Sequence, residues 1–136
     1  ERRVAKFVRL DPMLKALAEI TVATQLGCSW CVDFGFFLAG NAGLDLAKLA
    51  AIPRWQEADN LSPLEKQVIE YAIASTATPS AATDEMVAAL REALGEEALI
   101  ELTMMIAIEN ERSRFNASLG LVSQGFSAAC RLPSQS

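Results

Sequence analysis

The sequence predicts an all-α domain of about six helices, and three observations carry that reading. Apolar residues recur at three- and four-residue intervals, while no stretch shows the period-two alternation of a strand. Proline-led caps and glycine stops cut the chain into pieces of helical length. With 136 residues, 51% of them hydrophobic, the chain can bury one core. Residues 1–136 are therefore read as one domain, with an N-terminal arm over 1–10 and a loose tail over 131–136.

Asp11-Pro12 followed by Met13, Leu14, Leu17, Ile20 and Val22 supplies an N-cap, a proline at the first helical position and an apolar face. Gly27 closes this first helix. The second should run from about Cys28 to Gly40. Trp30, Val32, Phe34, Phe36, Phe37 and Leu38 leave it few polar positions besides Asp33, so burial on most sides is expected. Asn41-Ala42-Gly43 breaks it, and Leu44 to Ala51 makes a short third helix with Leu44, Leu46 and Leu49 facing inward. After a loop containing Trp55, Ser62-Pro63-Leu64-Glu65 forms a capping box that starts a helix from Pro63 to about Ser75. Its core face is Val68, Ile69 and Ala72. Thr83 or Asp84 caps a fifth helix, Glu85 to Leu94, which stops at Gly95. The last begins at Glu96-Glu97, where acids suit the helix dipole, and runs to about Leu119 before Gly120. Between Leu99 and Ile108 it is apolar on nearly every face and is expected to be surrounded by protein.

The apolar excess suggests that part of the surface is covered by other copies of the chain. A net charge of −5 argues against a nucleic-acid or anionic-membrane binder, since such proteins cluster Lys and Arg against phosphates. Glu19, Asp33, Asp45, Glu70, Asp84 and Glu109 interrupt every apolar stretch below the length of a membrane span. The opening residues, Glu1 to Lys6, lack the apolar segment and cleavage site of a signal peptide, and the missing initiator Met suggests a trimmed chain. Three cysteines in a core-rich chain do not look like a secreted disulfide framework, so a reducing cytoplasm is expected. The absence of histidine leaves acid–base work to carboxylates, thiols, amines or water.

The chemistry-bearing stretch is Gly27-Cys28-Ser29-Trp30-Cys31-Val32-Asp33-Phe34-Gly35, a Cys-x-x-Cys at a helix start. Unpaired amides and the helix dipole stabilise a thiolate there, and a second thiol two residues away can close a short disulfide on whatever the first one forms. Two buried thiols acting only as small hydrophobes are the plain alternative. One Cys-x-x-Cys with only Cys130 beyond it cannot complete a structural zinc site, so no metal and no cofactor is expected. A thioredoxin-like setting would need preceding strands.

This run, behind a Pro-initiated apolar helix, resembles the signature of the carboxymuconolactone decarboxylase and alkyl hydroperoxidase D-like superfamily. Leu61-Ser62-Pro63-Leu64-Glu65-Lys66 is similar to its second conserved helix start. Asn110-Glu111-Arg112-Ser113-Arg114-Phe115-Asn116, followed by Ala117-Ser118-Leu119-Gly120, is similar to its Asn-x-x-x-Arg-x-Asn helix end. The likeness spans about residues 11–130. It implies an all-helical fold assembled as a homo-oligomer, trimer or hexamer, with the Cys-x-x-Cys helix near a subunit interface. It also implies peroxidase or disulfide oxidoreductase chemistry on a small hydroperoxide or disulfide, with a thiol protein as reductant. In the redox branch the second cysteine, here Cys31, attacks, and the first, here Cys28, resolves. The dipole argument alone favours Cys28, so the order stays open at this point.

The redox branch also carries a His four residues after the second cysteine and a Glu twelve before the first. Those positions are Gly35 and Ala16 here. Glu19, one helical turn beyond Ala16, and Asp33, inside the motif, are the candidate substitutes for the missing relay, set against ordinary solvation or surface ion pairing. Asn110 and Arg114 share a helix face and can serve an anion, a neighbouring subunit or simple packing. Trp30 and Trp55 read as core or interface aromatics, and Cys130 has no partner in sequence. Three functions remain in competition: a thiol-dependent peroxidase or disulfide reductase, a decarboxylase or lactone-processing enzyme, and a non-catalytic oligomeric member of the family.

Overall fold

A computed structural model describes Arg3 and residues 6–129 of the chain; Cys130 and the tail expected at 131–136 lie outside the described residues. Six α-helices follow in order: α1 Pro12–Gln25, α2 Ser29–Asn41, α3 Leu46–Ala50, α4 Pro63–Thr76, α5 Asp84–Leu94 and α6 Glu96–Ser118. Among the described residues there is no strand, and 3-10 turns lie at Ile52–Arg54 and Phe126–Ala129.

Helix α1 is the axis of the fold, packing against α2, α3, α4 and α6. Its start is fixed by Asp11, whose Oδ1 accepts from the amides of Met13 (2.8 Å) and Leu14 (3.2 Å) ahead of Pro12. Leu17, Ala18 and Val22 are fully enclosed and meet Val68, Ile69 and Ala72 of α4 and Leu102 and Ile106 of α6 in one continuous core. Each Leu, Ile or Val side chain among them contributes about 1.5–3 kcal/mol by leaving water. The capping box of α4 forms as its sequence indicates: the Glu65 amide donates to Ser62 Oγ at 3.2 Å and the Ser62 amide to Glu65 Oε2 at 2.8 Å. Lys48 of α3 adds a 2.7 Å ion pair to the other Glu65 oxygen, which docks α3 on the head of α4. At the opposite edge the buried Glu101 accepts from the amides of Arg9 (2.8 Å) and Leu10 (3.0 Å) and pairs with Lys15 (2.9 Å), fixing the chain that leads into α1.

Two burial expectations are corrected. Helix α2 is enclosed less completely than expected: Cys31, Asp33 and Ala39 are buried, Trp30, Val32, Phe34, Phe36 and Phe37 are half-buried, and Leu38 is 51% exposed. Helix α6 likewise shows a bare apolar face, with Ile100 55% exposed and Met104 also exposed. Both helices are apolar around their circumference in sequence, but a single chain of this size has too few neighbours to wrap them. Leu49 is buried and Leu44 and Leu46 pack partly buried against the same core, as expected, while Asp45 caps α3 so that the helix starts at Leu46. No described helix is long and apolar enough to cross a membrane.

Candidate active site

Gly27 stands in the left-handed region at φ +68°, which lets the chain reverse from α1 into α2 within three residues. That reversal makes Cys28 the N-cap of α2 and puts Cys31 in its first turn. The two cysteines, Cα atoms 5.3 Å apart, are joined as a disulfide. Cys28 Sγ accepts the Cys31 amide at 3.2 Å, doing for α2 what an oxygen cap does elsewhere. Cys28 is 1% exposed and Cys31 8%. Both sulfurs therefore sit at the positive end of a helix, out of bulk water.

Each sulfur borders a different cavity. The one beside Cys28, about 550 Å³, is lined by the apolar Ala23, Val32, Phe36, Leu49 and Pro53 and by the polar Thr24, Ser29, Asp33, Ser123 and Ser127. The other, about 370 Å³, is bordered by Cys31; Ile20, Trp30, Phe34 and Leu38 form its apolar wall, and Glu19, Glu109 and Arg112 are its ionisable residues.

Helix α6 brings Glu109 and Arg112 to the second cavity, with Ser113 and Asn116 on the same face of the helix. Glu109, Arg112, Ser113 and Asn116 fall at i, i+3, i+4 and i+7, so they stack along the helix toward α1 and α2. Asn116 Nδ2 approaches Cys31 Sγ at 3.4 Å. Arg112 Nη1 lies 2.8 Å from Glu109 Oε2 and 3.5 Å from Glu19 Oε1, bridging the two carboxylates, and Ser113 Oγ donates to Glu109 Oε1 at 2.8 Å. Glu109 is 6% exposed at the side chain. Its burial pushes the carboxyl up to about 7, with the nearby charge of Glu19 adding to the rise and Ser113 and Arg112 opposing it. Burial also raises Glu19, against the pull of Arg112 and Lys15. Two carboxylates sharing one guanidinium in a poorly solvated site favour retention of a proton between them.

Asp33 sits differently. It is buried, and both its oxygens are engaged by the chain that follows α6. Oδ2 accepts from Ser123 Oγ (2.9 Å), Gln124 N (3.0 Å) and Phe126 N (2.9 Å), and Oδ1 accepts from Ser127 N (2.7 Å). Burial alone would raise its pKa, but these donors hold the carboxylate well below the usual range. Phe126 completes the clasp, packing edge-on against Trp30 and Phe34 and tilted against Phe37. Residues 123–127 thus form a strap fastened over the start of α2 beside the Cys28 cavity, with the Ser123 amide donating to Ser29 Oγ at 3.1 Å.

Of the sequence-derived candidates, the structure therefore brings Cys31 and Glu19 to one cavity and places Cys28 and Asp33 at the other. Asn110 and Arg114 turn away toward the end of α4: Asn110 Nδ2 donates to Thr76 Oγ1 (3.1 Å) and to the Ile106 carbonyl (3.0 Å), and Arg114 reaches Thr78 Oγ1 at 3.5 Å. Trp30 stacks on Phe34 with ring centres 5.0 Å apart, and Trp55 packs on the main core. Gly35 lies against α1, and a Cβ there would stand 3.0 Å from Ile20 Cγ1, so this position is filled by helix packing. Glu109 and Arg112 are not among the sequence-derived candidates, because the Asn-x-x-x-Arg-x-Asn motif marks Asn110, Arg114 and Asn116 instead, and of these Asn116 reaches Cys31. The 3–4 spacing of Glu109, Arg112, Ser113 and Asn116 was the available signal.

Cysteine pair, helical frame and helix ends define a protein of one class, and comparison with known sequences agrees. The sequence model of the carboxymuconolactone decarboxylase family matches residues 4–74, and the chain belongs to that family. It is 31% identical over 124 residues to the uncharacterized Escherichia coli (strain K12) protein YnjA, an alignment covering 91% of this chain and 66% of that protein. It is 29% identical over 107 residues to the uncharacterized Bacillus subtilis (strain 168) protein YdfG, covering 78% of this chain and 73% of the relative. The chain thus spans just under two thirds of YnjA's length. Among solved structures, the apo debrominase Bmp8 superposes with a TM-score of 0.81 at 23% identity, over 93% of this chain and 69% of that one. A cysteine-to-alanine variant of Bmp8 in complex with 2,3,4-tribromopyrrole gives 0.82 at 22% identity, over 95% and 70%. At these identities the likeness concerns the fold.

Proposed function

We propose that this chain is a dithiol–disulfide oxidoreductase that reduces small hydroperoxides, with Cys31 as the attacking thiol and Cys28 as the resolving one. The observation that carries this reading is the position of Cys31. Cys31 borders the cavity that holds Arg112, Glu19 and Glu109, and its sulfur lies 3.4 Å from the Asn116 amide, whereas Cys28 caps the helix beside a cavity whose carboxylate, Asp33, is taken up by the strap. A thiolate at Cys31 is favoured by the α2 dipole and the Asn116 amide, and a substrate entering between Trp30, Phe34 and Leu38 meets it in a site of reduced water content. Cys28, already within disulfide reach, then expels the oxygen from the oxidised Cys31.

The site acts in a cytoplasmic homo-oligomer, a trimer or hexamer, that covers the bare apolar residues Leu38, Ile100, Met104, Phe115 and Leu119. A thiol protein returns the disulfide to the dithiol. Labelling of free thiols before and after a stoichiometric dose of cumene hydroperoxide tests the reading. Cys28 and Cys31 should both become unreactive together, whereas unchanged labelling at these two residues contradicts it. Turnover of a lactone acid that survives replacement of both cysteines by serine would instead favour a decarboxylase.

A further inference from the structure

We propose that Glu109, sharing a proton with Glu19 across the Arg112 guanidinium, is the proton donor and acceptor for Cys31, in place of the family's Glu and His at positions held here by Ala16 and Gly35. The inference rests on the thiol-peroxidase reading above and adds the group that moves the proton.

The geometry allows few other choices. The chain has no histidine. Asp33 lines the Cys28 cavity, and the strap's donors hold it ionised, well below the range in which a carboxyl exchanges a proton near neutrality. Position 35, where a relay side chain would project, is closed by Ile20. What α6 presents at the Cys31 cavity is a buried carboxyl held in place by two partners, Ser113 on one oxygen and Arg112 on the other. Glu109 contacts Arg112 and Ser113 of its own helix, feels the charge of Glu19 of α1, which has Lys15 one turn before it, and lines the same cavity as Cys31 of α2. Arg112 lies against both acids, so the two carboxylates are coupled and a proton taken up at the site can sit on either. The upward displacement of Glu109 to about 7 agrees with a group that can both take and give a proton near neutrality.

The steps balance. The Cys31 thiol gives its proton to the carboxylate pair. The thiolate attacks the terminal oxygen of the hydroperoxide, forming an S–O bond as the O–O bond breaks. The leaving alkoxide takes the proton back from the pair and departs as the alcohol, leaving Cys31 as sulfenic acid. Cys28 attacks that sulfur, the S–S bond forms, and the hydroxyl leaves as water with the Cys28 proton. Two thiols are oxidised to one disulfide and one hydroperoxide is reduced to alcohol and water.

The test separates the thiolate from the proton. Iodoacetamide alkylation of Cys31 consumes a thiolate and expels iodide, which needs no proton; oxidation by cumene hydroperoxide expels an alkoxide, which does. Both rates are read on the reduced protein by site-resolved mass spectrometry. In Glu109→Gln the ratio of oxidation to alkylation should fall by about a hundredfold or more, the lower end of what a positioned acid supplies. A merely structural disturbance moves both rates together. In the unaltered protein the same ratio should fall as pH rises through about 7, where the pair loses its proton. A ratio that is unchanged in Glu109→Gln, or flat across that pH range, overturns the inference while leaving the peroxidase intact. A protein that alkylates normally at Cys31 and is not oxidised by the hydroperoxide overturns the peroxidase reading itself.

Discussion

Replacing Asp33 by Asn should unfasten the strap while leaving the helical core folded. The carboxylate accepts from Ser123 Oγ, Gln124 N, Phe126 N and Ser127 N, with three of these on Oδ2 and one on Oδ1. An Asn retains one acceptor oxygen. Placed at the Oδ2 position it keeps three weaker, neutral bonds and turns an amide N–H toward the Ser127 amide; the opposite orientation loses three. Each bond that changes from charge-assisted to neutral gives up about 1 kcal/mol, and the lost one about 1.5–3 kcal/mol. The sum, about 4–6 kcal/mol, exceeds what the strap needs to stay docked, since opening only re-exposes Phe126 and a few contacts with Trp30, Phe34 and Phe37. Because the strap can detach alone, the loss should appear locally. Exchange of the Gln124, Phe126 and Ser127 amide protons, followed by NMR, should accelerate by at least about a hundredfold, corresponding to roughly 3 kcal/mol of local opening. In the unaltered protein the depressed carboxyl keeps the strap docked at about pH 4, where an ordinary aspartate is half protonated, and protection should be lost only at lower pH. Protection in Asp33→Asn within about threefold of the original would show that the carboxylate does not hold the strap.

Other consequences follow from the same contacts. Glu109 holds its proton in the folded state between the ordinary value of 4.5 and about 7, so the folded state binds more protons than the unfolded there and stability must fall as pH rises through that window. Its full contribution is about 3 kcal/mol at most, and urea unfolding of the oxidised protein should lose this slope in Glu109→Gln. Ser62→Ala removes the side-chain half of the α4 capping box and should lower the urea midpoint by an amount equal to about 1 kcal/mol with no change in m-value. Glu101→Gln keeps acceptors for the Arg9 and Leu10 amides but not the charge that pairs with Lys15. A cost of about 1–3 kcal/mol is expected, largest above the carboxylate pKa and shrinking on acidification, because the folded-state carboxyl is held below its ordinary value.

The helices were legible because their ends are written locally. Asp11-Pro12, Ser62-Pro63 with Glu65, and Gly27 each act within a turn of themselves, and each appears in the structure where the sequence puts it. The burial of α2 and α6 was not, since an all-round apolar helix looks the same whether its outer face meets solvent or a neighbouring chain. The cysteine pair was visible as a motif, but its two-sidedness was not. Which sulfur borders which cavity depends on how α6 and residues 123–127 lie across α2, contacts spanning more than eighty residues of sequence. Asp33 illustrates the same limit. A carboxylate interrupting an apolar helix reads as a functional group, and here its oxygens are taken by distant backbone amides that no local pattern announces. Glu109 and Arg112 lay in plain helical periodicity, yet a neighbouring motif on the adjacent face obscured them.

The assignment of Cys31 as attacker is tested most directly by trapping the first product of oxidation. In Cys28→Ser no resolving thiol remains, so one equivalent of cumene hydroperoxide should leave a dimedone-reactive sulfenic acid on Cys31. In Cys31→Ser, Cys28 should remain an unmodified thiol under the same treatment. A sulfenic acid that accumulates on Cys28 in Cys31→Ser, with Cys31 unreactive in Cys28→Ser, would contradict the account.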